Sequence, residues 1–204
     1  MESGITYHSP AYYAKLRSVL FENRDTGEPF ASRTLSEDDF QFLMLPPFTP
    51  ETLLTVSRKE TNYVATVITP LKQIWSFDGD IANLAVSRKE KHLPAPIAQR
   101  ADRLWREMLI RARFAESGVC PDDESYCFFK WIKGAGILAG ETHPRKNTRP
   151  AMLVGIALRL VEFVSADAKD EESTLTNLGV QMGRLETELE NDKQRSNPST
   201  HGTR

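Results

Sequence analysis

Leu53-Leu54-Thr55-Val56-Ser57, then Arg58-Lys59-Glu60-Thr61-Asn62, then Tyr63-Val64-Ala65-Thr66-Val67-Ile68-Thr69: two β-branched runs flank a polar turn. Valine, isoleucine and threonine are stiff about their first side-chain torsion and suit a pleated sheet, so the pattern predicts a β-hairpin. Before it, Phe40 to Leu45 is a short apolar run stopped by Pro46-Pro47, which predicts another strand. After it, Leu71 to Phe77 and Ile81 to Val86 flank Asp78-Gly79, a dipeptide suited to a tight turn between antiparallel strands. Further on, the aromatic run Ser125 to Lys133 and Ile137 to Thr142 flank Gly134-Ala135-Gly136 and predict a second hairpin. No strand–helix–strand rhythm runs through these segments. The expected fold is α+β: an antiparallel sheet of about seven strands, a meander plus a hairpin, with helices packed on one face.

Four helices are expected around that sheet. Ser9-Pro10 supplies a capping hydroxyl and a proline at the first helical position, and Tyr12, Tyr13, Leu16, Val19 and Leu20 recur at helical spacing over 10–22. Pro94 and Pro96 open a second helix over about 96–115, with an apolar stripe from Ile97 to Ala112. Pro150 opens a third over 151–164, apolar except at Arg159 and Glu162. A membrane span needs roughly 18 apolar residues, so this run reads as a central helix packed on the sheet. The last runs from Ser173 to Asp192. Its Leu175, Leu178, Met182, Leu185 and Leu189 form a narrow seam of coiled-coil type, a candidate protein interface or surface for self-association. Gly179 and Gly183 inside it each cost about 1 kcal/mol relative to alanine, which points to close approach by another helix. The expected organisation is a globular domain over 1–168, an extended amphipathic helix over 169–193 and a disordered tail over 194–204.

A chain of 204 residues with 40% hydrophobic and 26% charged side chains supports one sizeable core. The net charge of −2 argues against nucleic acid as the main partner, although the charge is unevenly placed. Residues 88–113 hold eight basic and three acidic side chains; residues 162–192 hold nine acidic and two basic. These segments suit each other, solvent or a charged partner. Cys120 and Cys127 are too few and too oddly spaced for a disulfide framework or a zinc site. MESGITYHSP lacks the basic and apolar stretches of a secretory signal, so a cytoplasmic protein is expected, with no membrane, metal or cofactor.

Few motifs suggest chemistry. Leu-x-Val-Ser-Arg-Lys-Glu occurs at Leu54 to Glu60 and again at Leu84 to Glu90, without extension or a third copy. Gly134-x-Gly136-x-x-x-Gly140 follows a strand, but the helix that would hold a pyrophosphate cannot begin before Pro150. The loop His143-Pro144-Arg145-Lys146-Asn147-Thr148-Arg149 brings cations to a helix start, so His143, Arg145, Lys146, Thr148 and Arg149 form a candidate site for phosphate or another anion. No nucleophile elbow, P-loop or paired-histidine motif occurs. Cys127 and His143, both flanking the second hairpin, form a thiolate pair only in principle. Glu37-Asp38-Asp39 and Asp122-Asp123-Glu124 lack the spacing of a calcium loop and read as solvated turns.

The stretch Phe42-Leu43-Met44-Leu45-Pro46-Pro47-Phe48-Thr49-Pro50 before a β-branched strand resembles the opening of an uncharacterised family of small bacterial α+β proteins. So do the Trp131 strand, its glycine turn, and His143-Pro144-Arg145 before an apolar helix. The resemblance covers about a third of the chain and departs at Met44 and Thr49, where that pattern has tryptophan and histidine. It carries no activity with it. The expected function is non-enzymatic binding of another protein, as in bacterial toxin-neutralising (immunity) or adaptor proteins. The alternatives are a small-molecule or anion binder using the 143–149 loop, and an enzyme whose site assembles only in three dimensions.

Overall fold

A computed structural model describes residues 9–21, 35–112 and 124–196. His8, Cys120, Asp122, Asp123, His201, the polar stretch 23–34, residues 113–115 expected to end the second helix, and residues 197–204 of the expected tail lie outside them. Contacts divide the chain into two compact units, one ending at His143 and one beginning at Pro144.

The first unit is built on an antiparallel sheet of six strands: β1 Phe40–Leu45, β2 Thr52–Lys59, β3 Asn62–Pro70, β4 Val86–Leu93, β5 Ser125–Ile132 and β6 Gly136–Thr142. Their order is β4-β3-β2-β1-β5-β6. The expected count of about seven is therefore corrected to six, and the difference lies in 71–93. Leu71 to Phe77 forms turns, and Ile81–Asn83 is a short 3-10 helix capped by the Asp80 carboxylate. Tertiary ties override the local turn signal here. The Glu51 carboxylate accepts from the Ile74 amide at 2.9 Å, and Lys15 Nζ donates to the Phe77 carbonyl at 2.7 Å. A Cβ at Gly79 would stand 2.8 Å from the end of the Phe77 ring, so a larger residue there would have to displace that ring. The strand that does form, β4, is the basic segment Val-Ser-Arg-Lys-Glu-Lys-His-Leu.

Strand alternation settles which helix covers which face. On one face Phe40 and Phe128 pack against Trp105 of α2 (Ala95–Ile110), with ring centroids 4.8 Å and 5.3 Å away, and Phe42 packs on Phe128 at 5.1 Å. On the other, Leu43, Leu45, Leu53 and Ile68 form a core with Tyr12 and Leu16 of α1 (Pro10–Leu16) and with Val19 and Leu20 of the π-helical turn Arg17–Phe21 that continues it. α1 and α2 thus lie on opposite faces, not on one. The reason is visible in the strands: β1 is apolar on both sides, so both must be covered.

The second unit is a helical hairpin, α3 Arg149–Ser165 and α4 Glu171–Ser196, joined through a 3-10 turn at Ala168–Asp170. Arg149, at the start of α3, pairs with Asp192, near the end of α4, at 2.6 Å, as antiparallel packing requires. Among the described residues no helix is long and apolar enough to cross a membrane.

Candidate functional site

The α1 face changes character along its strands. The row Cys127–Leu43–Leu53–Ile68 is apolar and belongs to the α1 core. Two residues along, the next row reads Phe129–Gln41–Thr55–Thr66–Glu90 across five strands. Gln41, Thr55 and Thr66 are buried, and burial of such groups is costly unless they are hydrogen-bonded. They are paired: Gln41 Nε2 donates to Thr55 Oγ1 at 3.2 Å and Thr66 Oγ1 donates to Glu90 Oε1 at 3.3 Å. Hydrogen bonding from Arg88 holds the Glu90 carboxyl below its ordinary range, helped by the Lys59 charge and against partial burial.

A cavity of about 820 Å³ opens over this row, lined by Phe21, Gln41, Thr55, Ser57, Phe129 and Ile137. The Phe21 ring meets Phe129 edge-on, with centroids 6.3 Å apart. A second cavity of about 460 Å³ shares Phe21, Phe129 and Ala139 with the first and reaches Tyr13, Cys127 and Glu141. The arrangement is an apolar floor with a few convergent polar groups, the usual make-up of a binding pocket.

Beyond the second cavity lies a polar cluster. The buried Ser125 hydroxyl donates to Glu141 Oε1, and His143 Nε2 stands 3.6 Å from the same oxygen. Cys127 pairs across the strands with Glu141, not with His143. Burial first, and the Glu141 charge second, push the Cys127 thiol up to about 12, opposite to the activation a nucleophilic cysteine needs. Burial, then Glu141 and Cys127, raise Tyr13 as well. The carboxylate sits between hydroxyl and imidazole, so His143 does not address Ser125 directly and the arrangement differs from a serine–histidine pair. Among the described residues no group of three His, Cys, Asp or Glu is placed to hold a metal.

The seam residues and the basic-loop residues are placed as follows. Leu178, Met182, Leu185 and Leu189 are buried and Leu175 is half-buried on α4, which packs along α3. At Gly155 of α3 a Cβ would lie 3.5 Å from Gln181 Oε1 of α4, an ordinary contact distance. His143 closes the first unit, with Nδ1 at 3.2 Å from the Glu124 carbonyl. In the second unit Thr148 caps α3, accepting from the Ala151 amide at 3.3 Å and donating to the Arg145 carbonyl at 2.7 Å. Arg149 is engaged by Asp192, while Arg145 and Lys146 are exposed. The repeated Leu-x-Val-Ser-Arg-Lys-Glu falls on β2 and β4 out of register: Arg88 is level with Leu53, five residues from its counterpart Arg58, on the opposite face.

Compared with known protein families, curated proteins and solved structures, the chain matches none. The residues over which the cavity opens, Gln41 and Thr55, carry one sequence signal that was readable: polar side chains inside otherwise apolar strands. Their alignment into one row depends on register, which no local pattern supplies.

Proposed function

We propose that this chain works by binding another protein, without catalysis, as toxin-neutralising and adaptor proteins do, and that a partner side chain enters the cavity over Gln41, Thr55 and Ser57. The observation that carries the reading is the exposed apolar floor beside a buried polar row. Ile137 is 59% exposed at its rim, and Phe129 is only partly covered. A partner that fills such a pocket gains about 25 cal/mol for each Å² of apolar surface removed from water. The polar row then selects among partners, because an unmatched polar group in that setting costs about 1–3 kcal/mol. The seam on α4 contributes to this reading only as internal packing, since four of its five residues are already buried.

Ser57→Trp tests the proposal by filling the cavity from a half-buried position. Affinity capture from the native host with the wild-type chain should recover one stoichiometric protein, and the variant, folded by circular dichroism, should lose it. Recovery of no stoichiometric protein, or equal recovery by the variant, would overturn it.

A further inference from the structure

The two edges of the sheet are chemically unlike. β4 carries Arg88, Lys89 and Lys91 within eight residues. Cations along an edge are a common device against pairing with another strand. Any antiparallel pairing of β4 with its own copy about a two-fold axis at positions 88–91 sets like charges opposite each other. β6 has no such protection. Gly136-Ile137-Leu138-Ala139-Gly140 holds no charge and no proline, and no backbone hydrogen bond joins its outer edge to other described residues.

The surroundings of β6 point the same way. On the α1 face its Ile137, Ala139 and Glu141 are all exposed. On the other face α2 packs against it, with Leu109 Cδ2 at 3.0 Å from where a Gly140 Cβ would stand, and the neighbouring Ile110 is 59% exposed.

We infer that β6 pairs antiparallel with the β6 of a second copy of this chain, about a two-fold axis at Leu138, so that the two six-stranded sheets become one. An isologous contact demands that the same strip complement itself. This strip does: in that register Leu138 faces its own counterpart, Ile137 faces Ala139 and Gly136 faces Gly140. The large exposed Ile137 of each copy covers the small Ala139 of the other at the rim of the cavity. Glu141 falls beyond the last uncharged pair, so the two carboxylates are not opposed. The contact satisfies the open backbone edge and covers exposed apolar side chains together. It shares Ile137 and Ala139 with the rim of the cavity proposed above to take a partner, but its test reads the mass of the isolated chain, so the two proposals fail separately.

Sedimentation of the full chain tests it. At tens of micromolar the wild type should sediment at twice the 23.1 kDa chain mass. Ala139→Lys puts a cation on the edge at an exposed position and should weaken association at least tenfold while leaving the circular dichroism spectrum unchanged. Lys89→Ala, on the opposite edge, should sediment as the wild type does. Leu138→Cys in a Cys120→Ser, Cys127→Ser background should cross-link to its own counterpart on mild oxidation, and Lys89→Cys in the same background should not. A wild type that remains at 23.1 kDa, or an Ala139→Lys variant that associates like it, would overturn the dimer. Cross-linking at position 89 and not at 138 would overturn the edge. Partner capture by the wild type would be unaffected by either result.

Discussion

The two faces of the sheet are built to different standards of closure. On the α2 face, the fully buried Trp105 packs on Phe40 and Phe128, with Phe42 packed against Phe128, and donates its indole N–H to the Gln41 carbonyl at 3.2 Å. The same helix is pinned by the buried ammonium of Lys130, which donates to Asp102 and to the Glu37 carbonyl. On the α1 face, tight apolar packing covers one end and then gives way to Gln41, Thr55 and Ser57 beneath a cavity. One sheet therefore carries a face that serves the fold and a face that serves it only in part. Folding free energy accounts for the first; the polar row of the second asks for a different explanation.

The contrast predicts the largest loss at Trp105. Trp105→Ala removes a fully buried ring whose aromatic neighbours cannot close over the gap, at a cost of about 3–5 kcal/mol in urea denaturation. A loss under about 1 kcal/mol would mean that the α2 face is not the main store of stability.

Next in size is Glu51, where α1 is tied to the sheet. Its buried carboxylate accepts from the Tyr12 hydroxyl at 3.1 Å and from the Ile74 amide at 2.9 Å. Glu51→Gln keeps one acceptor of two and should cost about 1–3 kcal/mol. Burial raises the Glu51 pKa despite those bonds. A carboxyl raised on folding contributes stability that is full below its unfolded pKa and lost as pH rises through its folded pKa. The wild type should therefore gain on Glu51→Gln as pH falls from 7 toward the ordinary carboxyl range. A difference that stays constant with pH would remove the buried charge from the account.

The polar cluster beyond the cavity gives a smaller effect. Cys127 should alkylate slowly at pH 8, because burial and Glu141 hold it as a thiol. Removing the second cause by Glu141→Gln should lower the thiol pKa and speed alkylation measurably. Burial, the larger cause, remains, so the variant should still react more slowly than a free thiol. No acceleration would mean that access alone limits the reaction.

Much of this fold could be read along the chain, and the misreadings share a cause. The β2–β3 hairpin was legible because Thr55, Val56, Val64 and Val67 declare a strand whatever surrounds them. β4 was not legible: Arg88, Lys89 and Lys91 have no strand signature, and they pair because β3 offers a free edge. Asp78-Gly79 announced a tight turn, yet Ile74 and Phe77 were claimed by Glu51 and Lys15 from elsewhere in the sequence. The leucine seam announced a helix stripe correctly but could not say that α3 covers it. For the candidate site the limit is sharper. Gln41 and Thr55 are 14 positions apart, and only the β1–β2 register makes them neighbours.

The smallest stability effect is expected where the two faces differ most in purpose. Gln41→Leu combined with Thr55→Val replaces both members of a buried hydrogen bond with apolar groups of similar shape. Such paired replacements are nearly neutral, because the exchange removes desolvation cost along with the bond. Stability should shift by about 0.5 kcal/mol or less, and toward greater stability if it moves at all. Capture of the partner should nevertheless fail, since the floor of the cavity has lost its polar groups. A loss of about 2 kcal/mol or more would make the row part of the framework and leave the α1 face no different in kind from the α2 face. Neutral stability with partner capture retained would instead place recognition on the apolar rim at Phe129 and Ile137, with the row a bystander.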